Sequence, residues 1–357
     1  MKEKNMDASE RVLAFVKLGN SILHPCNNHS ANRLWDKVFK AHNHNPWFTP
    51  DFCKLAIESI ANQWLNESVL TGFINKYPVE HFSKTESKRI AVIMAGNVPL
   101  VGFHDFLCVL ITGNTFIGKL SSKDGGLMQA IVDLVIDIEP GFKDKILLTE
   151  HKLPEFDAII ATGSNNSARY FEFYFGFYPN IIRSNRNSIA VLDGTESANE
   201  LSALADDVFM YFGLGCRSVS LVFVPERYDF SNLFNAFIKY QNLKYHNKYA
   251  NNFEYQRAML LMNNLEHFDN GFILLKQSES LSSPVAILHY CYYKNFSEVN
   301  RYLEMNNDLI QCVSSDSKLV QNTIPLGSCQ KPSINDFADG IDVVEFLHSV
   351  HKSPESR

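Results

Sequence analysis

Arg89-Ile90-Ala91-Val92-Ile93-Met94-Ala95-Gly96-Asn97-Val98-Pro99-Leu100 decides the fold of this chain. Its first half is a continuous apolar run of strand length, as in a strand buried on both faces. The run ends in a Gly-Asn-x-Pro turn, and the pattern behind it becomes helical over 102–110. A second short strand follows at 115–120, a helix over 126–138, strands at 145–148 and 158–161, and a helix over 167–177. This order predicts an α/β fold with a mostly parallel sheet covered by helices on both faces. In such sheets ligands lie outside the carboxyl ends of the strands. Three spots therefore matter: Asn97, the stretch Lys119 to Lys123, and Thr162-Gly163-Ser164. The last is a strand-to-helix turn whose peptide N–H groups and dipole suit a phosphate. Neither GxGxxG nor a P-loop sequence occurs, so an ordinary Rossmann fingerprint is absent.

Upstream, residues 8–90 read as helical. Val12, Phe15 and Val16 make a short apolar stripe behind Asp7 or Ser9, either of which can cap it. Thr49-Pro50-Asp51 opens another helix, with proline in its first turn. Downstream, a strand over 188–192 and a helix from Ser197 to Met210 deliver the chain to Phe212-Gly213-Leu214-Gly215-Cys216. Behind that cysteine lies an apolar strand closed by Pro225. A cysteine where a Gly-rich turn feeds a buried strand sits on rigid backbone that substrate can approach, which suits a nucleophile. Burial in the core is the competing reading, since free cysteine is among the most buried residue types. Further strands are expected at 272–275, 285–288 and 309–314, a helix over 296–305, and a strand or helix over 339–349. The Tyr/Asn-rich segment to about Phe253 reads as irregular, with a helix over 256–263.

The bulk composition narrows the function classes. With 357 residues the chain is long enough for two domains. A net charge of −6 gives no global basic signal for nucleic acid or an anionic membrane. No run reaches the ~18 apolar residues of a membrane span. The charged start of the chain lacks an apolar signal-peptide segment. Seven scattered cysteines without metal spacing fit a reducing cytoplasm and no metal site. The 27 phenylalanines suit a large core or an apolar tunnel alike.

Taken in order, the motifs resemble the aldehyde dehydrogenase superfamily and, within it, the LuxC-type acyl-CoA reductases. The resemblance spans roughly residues 85–350. Ala95-Gly96-Asn97-Val98-Pro99-Leu100 is similar to the family's Pro-Trp-Asn-x-Pro-Leu, and Thr112-Gly113-Asn114-Thr115 with Lys119 to its Thr-Gly-Asn strand ending in lysine. Thr162-Gly163-Ser164 resembles Phe-Thr-Gly-Ser; Gly213-Leu214-Gly215-Cys216 resembles Gly-Gln-x-Cys; Ser283-Pro284-Val285 stands where the family has Phe-Gly-Pro-Val.

This resemblance implies an aldehyde dehydrogenase-like fold with a mostly parallel, Rossmann-like cofactor sheet. It implies a helical N-terminal region with the cofactor domain over 1–193, an α/β catalytic domain over 194–335, and a segment over 336–357 returning to the cofactor domain. The site is expected between the two domains. Cys216 would be the nucleophile, and the Asn97 amide and Cys216 N–H the oxyanion donors. Lys119 would bind the adenosine ribose, and Gly163 with Ser164 the pyrophosphate. The family's water-activating glutamate falls at Arg183-Ser184-Asn185-Arg186-Asn187, where no carboxylate occurs. A Cys216 thioester would then be kept for hydride, which favours reduction of an acyl-CoA to the aldehyde. A second family glutamate is replaced by Ser280. Many NAD-preferring relatives place an acid three residues beyond the lysine, where this chain has Ser122 followed by Lys123. That pair favours NADPH over NADH.

Arg183 and Arg186 read as structural charges or as ligands for CoA phosphates, and His104 and His289 as satisfied histidines or acid/base groups. Cys108, Cys291 and Cys312 read as core residues. An acyl-transfer role for Cys216 without hydride chemistry, and an acylating dehydrogenase running toward acyl-CoA, stay open. So do an acyl-CoA against an acyl-protein donor, an acyl-protein synthetase partner, and homo-oligomerisation.

Overall fold

The computed structural model describes residues 6–25, 28–83 and 86–352; Cys26 lies outside them. The chain divides into two compact units, one of residues 1–184 and 333–357, the other of residues 185–332.

The first unit opens with four helices: α1 (Ala8–Leu23), α2 (His29–Lys40), α3 (Pro50–Gln63) and α4 (Glu67–Ile74). Asp7 caps α1, accepting from the Glu10 N–H while the Glu10 side chain accepts from the Asp7 N–H. Thr49 caps α3, with Pro50 in its first turn. Phe15, Leu18 and Ile22 on α1 are fully buried, each contributing about 1.5–3 kcal/mol by leaving water. Arg11 is buried with them, its Nε donating to the Ile111 carbonyl at 2.9 Å.

The alternation then begins: β1 (Arg89–Ile93), α5 (Phe103–Ile111), β2 (Thr115–Lys119), α6 (Leu127–Ile138), β3 (Ile146–Thr149), β4 (Ala158–Thr162), α7 (Asn165–Phe175) and β5 (Asn180–Arg183). All five strands are parallel, in the order β3-β2-β1-β4-β5. The quoted stretch is thus the central strand, and chain order reverses between β1 and β4. Ile93 pairs with Lys119 on one side and Ala161 on the other, so the turns after β1, β2 and β4 leave the sheet at one edge. β5 is missing from the sequence reading: four residues, Asn-Ile-Ile-Arg, are too short a run to register as a strand.

The second unit contains β6 (Asn187–Val191), α8 (Ala198–Phe209), β7 (Val219–Pro225), α9 (Ser231–Phe237), α10 (Asn247–Met262), β8 (Phe268–Asp269), β9 (Leu274–Gln277), β10 (Ile287–Tyr293), α11 (Phe296–Met305) and β11 (Ile310–Ser314). Its sheet has the order β11-β6-β7-β10-β9-β8, with only the β8–β9 pair antiparallel. α10 begins well before the expected helix at 256. The His246 ring caps it, accepting from the Tyr249 N–H, and Tyr249, Phe253 and Leu260 are its buried anchors. Its other face is Asn-, Lys- and Tyr-rich, which hides it from a hydrophobic-periodicity reading. The strands expected at 272–275 and 285–288 lie two residues later.

The last element, α12 (Val343–Lys352), is helical and packs Val343, Val344, Leu347 and Val350 into the first unit's core. Phenylalanines fill both cores: Phe15, Phe103, Phe106 and Phe116 in the first, Phe209, Phe230 and Phe237 in the second.

Candidate active site

The carboxyl edge of the first sheet gathers the residues singled out around β1, β2 and β4. Asn97 is exposed on the turn after β1. That turn is tied to the one after β2, because the Asn45 side-chain amide donates to the carbonyls of both Gly96 (3.4 Å) and Lys123 (3.2 Å). Lys119 ends β2, and its ammonium donates to the carbonyls of Glu150 (3.1 Å) and His151 (2.7 Å) just past β3. Ser122 and Lys123 are exposed. Asp124 is turned to the start of α6, where its carboxylate accepts from the Met128 N–H at 3.0 Å. Burial pushes its pKa up against the backbone hydrogen bonds that favour its charge.

After β4 the chain turns tightly into α7. A side chain at Gly163 would place Cβ within 2.7 Å of Ser167 Cβ, so only glycine allows this approach. The Gly163 N–H donates to the Arg183 carbonyl at 3.2 Å, and Ser164 caps α7 by accepting from Ser167. The N-terminal turn of α7 still presents peptide N–H groups and the positive end of the helix dipole.

Cys216 belongs to the second unit, at the amino ends of β6 and β7. Three residues before Gly215-Cys216 the backbone is left-handed without a break: Tyr211 (φ 54°), Phe212 (φ 58°) and Gly213 (φ 72°). For bulky residues this conformation costs about 1–3 kcal/mol each. Burial holds it, with both aromatic side chains inside and the Phe212 ring 4.4 Å from His246. Beyond the strained run, the Ser218 N–H donates to the Gly215 carbonyl (3.0 Å) and the Gly215 N–H to Ser218 Oγ (3.3 Å). From β6, the buried Ser188 hydroxyl donates to the Cys216 carbonyl at 2.9 Å. Cys216 is therefore exposed on a turn fixed from both sides.

Exposure separates it from the others: among the described residues Cys216 is the one exposed cysteine. Burial pushes the Cys53 thiol up to about 12 and raises Cys108 and Cys291 as well. Cys312 does not fit the core reading. It is half-buried, and its pKa is lowered, chiefly by a hydrogen bond from Cys329.

Arg183 is neither a surface charge nor open to a phosphate. It is buried and grips Asp105 of α5 through both terminal nitrogens, at 2.6 and 3.0 Å. Burial alone would lower its pKa; the Asp105 carboxylate outweighs that and holds the guanidinium charged. Arg186 donates to the Ile310 carbonyl at 3.2 Å. His104 lies 2.8 Å from the Ile334 carbonyl and edge-on to Trp64. His289 is buried 2.8 Å from the Ser280 carbonyl, and burial lowers its pKa, so the ring stays neutral near pH 7. Both histidines are satisfied structural groups. Ser280, at the position of the second lost glutamate, spends its hydroxyl on the Ser282 carbonyl. Among the described residues no cluster could hold a metal ion, and no helix is long and apolar enough to cross a membrane.

The sequence reading missed Ser188, Cys329 and Asp207, and misplaced Cys312 in the core. The buried Asp207 carboxylate accepts from the N–H groups of Gly327 (2.7 Å) and Cys329 (2.9 Å) and from Ser314 Oγ (3.0 Å). These residues lie more than a hundred positions apart, and no local pattern links them.

A model of the family described as acyl-CoA reductase (LuxC) matches residues 66–323. The long-chain acyl-protein thioester reductase of Photorhabdus laumondii is 23% identical over 280 residues, covering 73% of this chain and 53% of that protein. The chain thus spans about half the length of that curated relative. Among solved structures, aldehyde dehydrogenase 21 of Physcomitrella patens, in complex with succinate, superposes with a TM-score of 0.68 at 12% identity, covering 97% of this chain and 84% of that one. An NADP-dependent enzyme of E. coli does so with a TM-score of 0.63 at 12% identity, covering 87% and 73%. The fold is aldehyde dehydrogenase-like.

Proposed function

Because the chain belongs to the acyl-CoA reductase (LuxC) family, we propose that it reduces an acyl thioester, on CoA or on a protein, to the aldehyde with NADPH. The observation that carries this reading is the exposed Cys216 on its braced turn. The absence of a carboxylate at 183–187 supports it, and Asp105, which touches that stretch, is committed to Arg183. An acyl group on Cys216 then meets no resident base to activate water.

Cys216 Sγ, as thiolate, attacks the thioester carbon, and the C–S bond to the donor breaks as the donor thiol leaves with a proton. Asn97 and the Cys216 N–H are the proposed donors to the oxygen on which charge develops. NADPH, when bound, supplies the hydride. Collapse then frees the aldehyde and returns the Cys216 thiolate.

The residues at the carboxyl edge fit that cofactor. The Lys119 ammonium spends two of its three N–H donors on carbonyls, which leaves one for a ribose hydroxyl. The α7 start suits the pyrophosphate. Ser122 and Lys123 suit a 2′-phosphate, and Asp124 is occupied at α6. A hydrogen bond to a charged group is worth about 1.5–3 kcal/mol, so kcat/KM should favour NADPH over NADH by about tenfold or more. Ser122→Asp should erase that preference. Equal use of both cofactors by the unaltered protein would sink the assignment.

The test of the function is intact-protein mass spectrometry after mixing with acyl-CoAs of several lengths, followed by NADPH. The expected result is one acyl adduct, mapped to Cys216, that disappears as aldehyde forms. A specific observation favours a second reading, acyl transfer without reduction: Ser280 replaces a family glutamate and is spent on its own turn. An adduct that persists with NADPH, yielding no aldehyde, would select it. We assign the chain to a reducing compartment, the cytoplasm, in keeping with six unpaired cysteines among the described residues.

A further inference from the structure

We propose that Cys312 and Cys329 form a peroxide-sensitive dithiol, whose closure to a disulfide cuts a hydrogen-bond chain supporting the Cys216 turn. Two elements bring the pair together. Cys312 lies on β11, paired with β6, and Cys329 lies on the turn after Pro325. Asp207 of α8 ties both, through Ser314 Oγ at the end of β11 and the N–H groups of Gly327 and Cys329. The Arg217 guanidinium reaches the Cys329 carbonyl at 3.5 Å.

Hydrogen counting fixes the direction of the chain. Ser188 Oγ lies 2.9 Å from the Cys216 carbonyl and 3.0 Å from Cys312 Sγ. A hydroxyl has one hydrogen, and a carbonyl can only accept. The Ser188 hydrogen therefore goes to the Cys216 carbonyl, and the Cys312 S–H donates to Ser188 Oγ. The Cys312 and Cys329 thiols are hydrogen-bonded to each other. Their opposite shifts, Cys329 up and Cys312 down, mark Cys329 as donor and Cys312 as acceptor. The chain runs Cys329 S–H, Cys312 S–H, Ser188 O–H, Cys216 carbonyl.

Cys312 is the attacking sulfur. It is the half-buried member; Cys329 is fully buried. Its lowered pKa, with the Arg217 charge contributing, raises its thiolate fraction. The thiolate attacks one peroxide oxygen, the O–O bond breaks, and the departing hydroxide takes a proton as water. Cys312 becomes a sulfenic acid. Cys329 sulfur then attacks Cys312 sulfur; the S–O bond breaks, and hydroxide leaves with the Cys329 proton as a second water. Two thiols and one peroxide give one disulfide and two waters, with two electrons passing to the peroxide. The disulfide has no S–H, so Ser188 Oγ loses its donor, and Cys312 is drawn toward Cys329. A dithiol reductant reverses the step.

The effect on catalysis rests on Cys216 being the nucleophile; formation of the disulfide does not. The mapping is therefore made in the unaltered protein and in Cys216→Ala. Each is treated with hydrogen peroxide, blocked with iodoacetamide and digested for mass spectrometry. The expected result in both is a Cys312–Cys329 linkage released by dithiothreitol. Finding both cysteines separately alkylated, Cys312 over-oxidised without a partner, or either joined to Cys216, overturns the proposal. A second measurement follows the rate at which iodoacetamide alkylates Cys216. Peroxide should slow it several-fold in the unaltered protein, reversibly, and leave it unchanged in Cys329→Ala. Equal slowing in both overturns the coupling to the Cys216 turn. Failure of the function reading appears elsewhere, as the absence of an acyl adduct on Cys216.

Discussion

Cys216→Ala is expected to lose the acyl adduct altogether and to bring aldehyde formation below detection. Removing a covalent nucleophile from a comparable catalytic unit costs roughly 10⁶ in kcat, more than a routine assay spans. The fold should not change. Cys216 is exposed, so the truncation leaves no cavity, and surface substitutions of this kind usually stay within about 0.5 kcal/mol. Asn97→Ala is the informative companion. Losing one oxyanion donor costs about 10²–10³ in rate, so its adduct should still form, slowly, and map to Cys216. A Cys216→Ala protein that still makes aldehyde would end the mechanism. An Asn97→Ala protein with full activity would remove Asn97 from it and leave Cys216 in place.

The second large effect is on stability. Removing one partner of the Arg183–Asp105 pair leaves a buried charge without compensation, which costs about 3–5 kcal/mol. Asp105→Ala should be the harsher single change, since Arg183 cannot shed its proton and its Nε already lacks a partner. The double replacement Asp105→Leu with Arg183→Met removes both charges together and should recover most of the loss. Urea denaturation of the four proteins as a double-mutant cycle checks this. Additive losses, with no recovery in the double variant, would show that the two charges do not depend on each other. Arg183 also carries the carbonyl that receives the Gly163 N–H, so the single variants should raise KM for NADPH as well.

The order of elements in the first sheet was legible because its strands are nearly continuous apolar runs separated by Gly-rich turns. Val92 and Ile160 are buried in neighbouring strands, and each announces itself within five residues of sequence. The helix caps at Asp7, Thr49 and Ser164 were legible for the same local reason. α10 was not, because its polar residues outnumber three anchors. Arg183 was weighed as a surface charge because a single arginine carries no sign of its carboxylate 78 positions away. Cys312 was assigned to the core because its neighbours in sequence are apolar. What sets its chemistry, Ser188 and Cys329, arrives through the pairing of β11 with β6 and through Asp207, contacts that only the folded chain makes.

The first unit is discontinuous, and that bears on how the protein is made. Its sheet and helical cap have left the ribosome by Ser184, but α12, which fills the same core with Val343, Val344 and Leu347, emerges more than 150 residues later. At about 5–20 residues per second, the first unit waits many seconds with part of its core open, while the second unit has all of its strands by Ser314. The unit begun first is completed last. The interval in which this protein can be captured by a chaperone, or can stick to another nascent chain, is set by the time the ribosome takes to reach the helix that closes the cofactor sheet's own core.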